Sequence, residues 1–203
     1  MSALQERILR ELAGMQPAWI LFGAGALVGF YLGHRTTRDL DLAFRPRLEL
    51  GEIPREVEAR LRRVGLDVEH VQTAVSFVRF RVHGDGESVE LDLVADPTAP
   101  VEPPVELRPG MLVDTPRDLF AQKLCALLSR TELRDLEDIG ALLDAGADLS
   151  RGFDDAATRD RGFSPPTLAW LLQQFPLQRA AEEGRDGTRL ATVRDRLLAA
   201  LKS

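Results

Sequence analysis

The sequence predicts an α+β protein: a short mixed sheet flanked by helices in the N-terminal part, then an all-α C-terminal part, divided at about residue 108. Three observations carry this. Apolar stretches of strand length and period dominate residues 19–95. A proline-rich segment, PTAPVEPPVELRPG, breaks the pattern at 97–110. Beyond it the apolar residues recur only at helical spacing. The expected domains are 1–108 and 109–203.

The elements follow in order. Leu4, Ile8, Leu9 and Leu12 define an opening helix that ends at Gly14. Trp19 to Phe22 reads as a short buried strand. Gly23, Ala24 and Gly25 make a turn, and Ala26 to Leu32 a helix. Leu40 to Phe44 is the next strand, and Arg55 to Val64 a helix with Val57, Leu61 and Val64 on one face. Residues 66–95 become strands. Val75, Phe77, Val78, Phe80 and Val82 belong to one and Val89 to Val94 to another, with the hairpin signal H-G-D-G-E between them. Thr115-Pro116 starts a helix, with threonine as cap and proline in the first turn. Helices are expected at about 116–129, 134–144, 165–175 and 188–201, and RGFDDAATRDRGF, residues 151–163, as a polar loop.

Composition narrows the chemistry. With 44% hydrophobic and 29% charged residues the 203-residue chain is an ordinary globular one. Its net charge of -6 means that nucleic-acid binding would need a local basic patch. The single cysteine, Cys125, excludes an intramolecular disulfide and cysteine zinc sites, and suits a reducing cytoplasm. Three scattered histidines make no cluster, so any metal would be held by carboxylates, as Mg²⁺ or Mn²⁺ are. The opening MSALQERILRELAG is charged and helical, unlike a signal peptide, and no apolar run reaches membrane-spanning length.

The candidate site begins at D-L-D. Residues two apart on a strand share a face, so Asp39 and Asp41 project together while Leu40 and Leu42 go to the other side. Neighbouring carboxylates repel, and a divalent cation removes the repulsion. A solvated strand end gives the same pattern. A second pair, Glu90 and Asp92 in V-E-L-D-L-V, shares a face of a later strand. If the two strands are neighbours, a third carboxylate joins the first two, an arrangement suited to metals and a phosphate chain. The alternative is the solvent face of an antiparallel sheet. At Gly23-Ala24-Gly25 a helix start offers N–H groups suited to a phosphate. Gly25, Gly29 and Gly33 recur every four residues; Gly29 and Gly33 equally suit close packing of the helix on the sheet, while for Gly23 and Gly25 the phosphate reading gains from the nearby aspartate pair. Two polar residues stand among apolar ones. Lys123 lies between Leu119 and Leu127, where it must snorkel outward or meet an anion such as a triphosphate. Asp135 lies within the sector of Leu136, Ile139, Leu142 and Leu143, with Asp138 at its edge. Asp135 also suits a helix N-terminus.

In order along the chain stand the strand with G-A-G-A-L, then L-G-H-R-T-T-R-D-L-D-L, V-E-L-D-L-V, D-L-F-A-Q-K-L-C-A-L-L-S-R and R-D-L-E-D-I. Over residues 19–144 this series resembles the AbiEii/AbiGii-type toxin family of nucleotidyltransferases, within the polymerase β-like superfamily. The resemblance implies a nucleotidyltransferase-like N-terminal domain and a helical C-terminal domain. It implies Asp39 and Asp41 as metal ligands and Asp92 as the third carboxylate, a general base or second-metal ligand. It matches Lys123 to a lysine on the nucleotide phosphates and Asp135 to the acid of an R-D motif. Asp39, Asp41, Asp92, Lys123 and Asp135 are thus the catalytic candidates. Gly23, Ala24, Gly25, Arg38 and Lys123 are the nucleotide-binding ones. His34 and Arg35 match an L-G-H-R variant placed to order the loop before the aspartates. The family usually has G-G or G-S followed by Thr, Ser or Asn at the glycine turn. Ala24 and Gly25 stand there instead, so a phosphate-binding hydroxyl is missing.

The implied activity is Mg²⁺- or Mn²⁺-dependent transfer of a nucleoside monophosphate from an NTP to a hydroxyl, in a toxin–antitoxin setting. The acceptor would be a tRNA 3′ end or a protein side chain, and a cognate antitoxin a further partner. Arg151, Arg159 and Arg161 are candidates for an RNA backbone, beside acidic Asp154, Asp155 and Asp160. Two other classes remain open: a small-molecule, antibiotic-type nucleotidyltransferase, and a non-catalytic member that binds nucleotide or a partner. The expected state is a cytoplasmic monomer.

Overall fold

Residues 1–202 are described by the structure, a computed structural model. The chain forms two compact units, Met1–Thr115 and Pro116–Ser203.

The first unit opens with helix α1, Ala3–Leu12. Ser2 caps it, accepting from the Gln5 N–H, and the Gln5 side chain accepts from the Ser2 N–H, a reciprocal capping box. The other end of Gln5 matters more for the site. Fully buried, its Nε2 donates to the carbonyls of Thr37 and Asp39. A helix that buries Leu4, Ile8, Leu9 and Leu12 thereby fixes the backbone from which the aspartates rise.

Strand β1 is Ile20–Phe22, and helix α2 starts at once, Gly23–Ala26. It continues as wider π-helical turns, Leu27–Leu32, and stops at Gly33, whose φ of 60° is left-handed. Strand β2, Asp39–Phe44, leads to helix α3, Ile53–Arg63. Strands β3 (Asp67–Thr73), β4 (Phe77–Gly84) and β5 (Glu87–Ala95) follow. Asp85 and Gly86 both have positive φ, 54° and 79°, which closes the β4–β5 hairpin as its sequence predicts. Strand β3 was not separable in the sequence, because all its residues except Val68 are exposed and no apolar alternation marks it.

The sheet runs past the expected boundary at 108. Within the proline-rich segment β6, Val105–Arg108, turns at Pro109-Gly110 into β7, Met111–Val113. Strand β7 then pairs in parallel with β1. The seven strands lie in the order β3-β4-β5-β2-β1-β7-β6. The pairs β1–β7 and β2–β5 are parallel and the others antiparallel, so the sheet is mixed as expected. Its apolar face holds Leu40, Leu42, Val78, Phe80, Leu91 and Leu93, all essentially buried. Each such side chain contributes about 1.5–3 kcal/mol. At the far end of β2, Arg45 is buried and its guanidinium joins Asp96, after β5, to Asp114, after β7, both at 2.7 Å.

The second unit is built of helices: α4 (Pro116–Ser129), α5 (Leu133–Asp144), α6 (Leu149–Arg159), α7 (Pro165–Gln173) and α8 (Gly187–Ala200), with one 3₁₀ turn at Leu177–Arg179. Helix α6 corrects the expected polar loop at 151–163. Asp148 caps it, accepting from the Arg151 N–H. Its packing face is made of small residues, Gly152 and Ala156, which an apolar-period reading does not register. Gly152 lies so close to α4 that a Cβ there would stand 2.4 Å from Phe120 Cε1. Ion pairs join the same helices, Arg117 with Asp155 at 2.6 Å and Arg159 with Asp118 at 3.8 Å. Arg159 is therefore engaged inside this unit and is not the loop residue expected to meet an RNA backbone.

Candidate active site

Strands β2 and β5 are neighbours and run parallel, with Asp41 level with Asp92 and Asp39 level with Glu90. The condition set on the sequence, that the two acidic strands adjoin, is met. Strand β4 lies on the other side of β5, with Arg79 level with Asp92 and Arg81 level with Glu90. Side chains at matched positions share a face. One face of the sheet therefore carries two parallel rows, Arg79-Asp92-Asp41 and Arg81-Glu90-Asp39. Over these stretches the strands alternate V-R-F-R-V, V-E-L-D-L and D-L-D-L, which sends their charges to this face and their large apolar groups to the core.

Asp92 is nearly buried and is gripped by Arg79. Nε donates to Oδ1 at 2.7 Å and Nη2 to Oδ2 at 2.6 Å, a two-pronged, charge-assisted pair. Nη1 of Arg79 lies 3.7 Å from Glu90 Oε2, and Arg81 donates to Glu90 Oε1 at 3.4 Å. The hydrogen bonds to Asp92 hold the Arg79 guanidinium firmly protonated, and the charges of Asp92, Glu90 and Asp39 add to this. The Arg79 side chain remains 35% exposed, and its cation stands 5.7 Å from the centre of the Phe77 ring. The sequence analysis did not single out Arg79 or Arg81. Alternation with Val78, Phe80 and Val82 was the signal that could have found them.

Asp41 is shaped by the glycine turn. Phe22 is its partner on β1, and Gly23 follows with φ +64°. A Cβ on Gly23 would stand 2.3 Å from Asp41 Oδ2, so the carboxylate occupies the space a side chain would fill. Gly25 is buried against the Asp39 carbonyl and Leu40, where a Cβ would have 3.3 Å to either. It packs α2 closely on β2. Ala24 is half-buried between them. Arg38 is exposed and lines a shallow groove of about 380 Å³ with Ser2, Gln5, Thr37, Glu87, Ser88 and Val89. None of the four row carboxylates lines that groove. Arg35 donates to the Thr36 carbonyl at 2.9 Å, inside the loop that precedes the aspartates.

Lys123 meets an anion, and the anion is the protein's own. Its buried Nζ stands 2.8 Å from Asp135 Oδ1 and 2.7 Å from Asp138 Oδ2. Both aspartates are fully buried and sit one turn apart on α5, so one lysine from α4 reaches the two. Arg130, just beyond α4, donates to Asp135 through Nε at 2.8 Å and Nη2 at 3.2 Å. Burial alone would raise the Asp135 pKa. The charge of Lys123 and the hydrogen bond from Arg130 outweigh it and hold the pKa below the ordinary value. Two cations, Lys123 and Arg130, thus reach Asp135, and Lys123 also reaches Asp138. The sequence analysis did not single out Arg130.

Residues 7–195 match the family described as nucleotidyl transferase AbiEii toxin, Type IV TA system. The chain belongs to the AbiEii family. It is a nucleotidyltransferase of toxin type, as the ordered motifs imply. Among solved structures, one described as a putative nucleotidyltransferase from Helicobacter pylori is similar at 22% identity, with a TM-score of 0.63 over 98% of this chain and 93% of that one. JHP933 from Helicobacter pylori gives 22%, 0.62, 98% and 90%. MenT4, a nucleotidyltransferase toxin of Mycobacterium tuberculosis, gives 18% and 0.60 over 97% and 85%. These likenesses establish the AbiEii chain's fold over nearly its whole length. No curated protein sequence matches it.

AbiEii-type chemistry implies a divalent cation. Among the described residues no group of three or more His, Cys, Asp or Glu side chains is arranged to hold one. The donor set that fits is the Asp39 and Asp41 pair, because Mg²⁺ is commonly bound by one or two carboxylates plus substrate phosphates. Asp92 is in register to join them, but both its oxygens are on Arg79. No helix among the described residues is long and apolar enough to cross a membrane.

Proposed function

We propose that this AbiEii-family protein transfers a nucleoside monophosphate from an NTP to an acceptor hydroxyl and releases pyrophosphate, with Mg²⁺ or Mn²⁺ bound at Asp39 and Asp41. The observation that carries the proposal is the parallel register of β2 and β5, which sets Asp41 beside Asp92 and Asp39 beside Glu90 on one face. A bound divalent cation would supply charge neutralisation at the phosphates of the NTP. The chain's own part is positioning. Gln5 fixes the backbone at Thr37 and Asp39, Gly23 makes room for the Asp41 carboxylate, and Arg79 brings a fixed positive charge to the acidic face. Such transfer is mostly orientation and electrostatics, so these residue types suffice.

Lys123 is proposed as the lysine for the nucleotide phosphates, its place set by Asp135 and Asp138. Gly23, Ala24 and Arg38 are proposed around the nucleotide, with Gly25 supporting them through packing. The helices after residue 115 are proposed as a separate all-α domain. The acceptor is proposed to be a tRNA 3′ end or a protein side chain, and the toxin–antitoxin description of the family supports a cognate antitoxin as partner. A reducing cytoplasm suits the single cysteine.

The test is transfer of label from α-phosphate-labelled NTPs, with Mg²⁺, into total RNA and total protein. Wild type, Asp41→Asn and Lys123→Ala are run side by side, at a temperature where urea unfolding shows each to be folded, because Lys123 also pairs with buried Asp135 and Asp138. Label in one fraction that disappears in both variants supports the reading and names the acceptor class. Label in neither fraction, from wild type that binds NTP, overturns the macromolecular acceptor. It would shift the reading to a small-molecule hydroxyl.

A further inference from the structure

The two rows of charge on the sheet face have an unequal composition. Carboxylates outnumber guanidiniums there: Asp39, Asp41, Glu90 and Asp92, with Glu69 of β3 at 3.5 Å from Arg81, share the face with Arg79 and Arg81. Arg79 is also in the place that matters. In the row Arg79-Asp92-Asp41 the guanidinium occupies the side of Asp92 away from Asp41, and it takes both Asp92 oxygens at 2.7 and 2.6 Å. A carboxylate held on both oxygens at such distances is a poor ligand for a further ion, since the pair would first have to break. The pair is nearly buried on the Asp92 side, where losing one partner costs several kcal/mol. A planar fork has five N–H donors, and two of them are spent on Asp92. The Arg79 side chain stays 35% exposed, so the guanidinium is not closed off from a ligand.

We propose that Arg79 stands in for a second divalent cation, so that the site takes a single metal ion on Asp39 and Asp41, and that Asp92 is a positioning residue that anchors Arg79. This rests on the proposed metal site at Asp39 and Asp41, and it replaces the base or second-metal role expected for Asp92. The phosphate charge that would otherwise meet a second ion meets a guanidinium fixed by Asp92, with Glu90 and Asp39 close enough to hold its charge. Phe77 backs the cation on β4.

The experiment is a titration of the full chain with Mn²⁺ alone, reading free Mn²⁺ by its electron paramagnetic resonance signal. The proteins are wild type, Asp41→Asn, Asp92→Asn, Arg79→Gln and Arg79→Lys, with thermal unfolding run on each. The expected result is one equivalent bound by wild type and lost in Asp41→Asn. Asp92→Asn keeps that equivalent within about threefold in affinity, as a residue outside the metal shell should. Arg79→Gln, which releases Asp92, takes up a second equivalent, and Arg79→Lys, which keeps a cation, does not. Two equivalents on wild type overturn the proposal. So does a loss of roughly tenfold or more in Asp92→Asn, the size expected for a ligand. Either result leaves the metal site at Asp39 and Asp41 standing. No Mn²⁺ on wild type would remove that metal site and this proposal with it. Should Arg79→Gln fail to fold, wild type and Asp92→Asn decide the matter.

Discussion

The carboxylate of Asp41 rests on the Cα of Gly23, in space that a Cβ would occupy at 2.3 Å from Oδ2. Gly23 also has φ +64°, which an L side chain adopts only under strain. Turn and proposed metal ligand therefore meet at this one contact.

Gly23→Ala is expected to act twice, through the backbone and through Asp41. The strain costs about 1–2 kcal/mol. The contact drives the Asp41 carboxylate from its place, so nucleotidyl transfer should fall by about a hundredfold or more, as misplacement of a positioned group does. Gly33→Ala is the control, because it has a similar φ of +60° but no atom within 4 Å of its Cβ. A Gly33→Ala protein that loses as much activity as Gly23→Ala would show that strain alone is responsible.

The Lys123, Asp135, Asp138 and Arg130 cluster predicts a pH signature. Lys123→Met leaves buried carboxylate uncompensated and should cost about 3–5 kcal/mol at neutral pH. In the wild type the Asp135 pKa is lowered. Its contribution is thus present above the ordinary aspartate value and is lost as pH falls through the lowered one. In Lys123→Met the same carboxyl takes up its proton at higher pH, which relieves part of the cost. Urea unfolding of the two proteins between pH 7 and about pH 4 should show the gap narrowing on acidification. A gap that stays constant would mean that charge is not what Lys123 supplies.

Gly152→Ala sets two effects against each other. Replacing a helix-interior glycine favours the helix by about 1 kcal/mol. The new Cβ meets the buried Phe120 ring at 2.4 and 2.7 Å, and overpacking costs about 1–3 kcal/mol. The contact should win, with the midpoint of unfolding lowered. Phe120→Leu in the same chain should recover part of the loss. A stabilised Gly152→Ala would show that α4 and α6 can move apart.

The site was legible in the sequence to the extent that strand alternation governs it. Period alone pairs Asp39 with Asp41 and Glu90 with Asp92, each pair on one face of its own strand, and the order of motifs carried the family; that the two strands adjoin came from the sheet. What the residues did not announce were partners set by sheet order. Nothing local in V-R-F-R-V says that β4 lies against β5 with Arg79 level with Asp92, since that follows from a register between strands. The lysine question was posed correctly, but its answer needed α5 beside α4. Helix α6 was missed because glycine and alanine make its packing face. Strand β3 was missed because it is an exposed edge with little apolar burial, and β7 because only three residues follow a proline-rich stretch.

Strand β2 is fourth of the seven strands, with three on each side. Both its edges are hydrogen-bonded, to β1 and to β5, while β3 and β6 form the rims. Amide hydrogens along Leu40–Ala43 should therefore exchange with solvent only through the rarest openings of this unit, and those of the rim strands through frequent partial ones. The rims can fray, or lend themselves to another chain, while the two aspartates keep their spacing. Loss of the acidic face and loss of the sheet are then the same event.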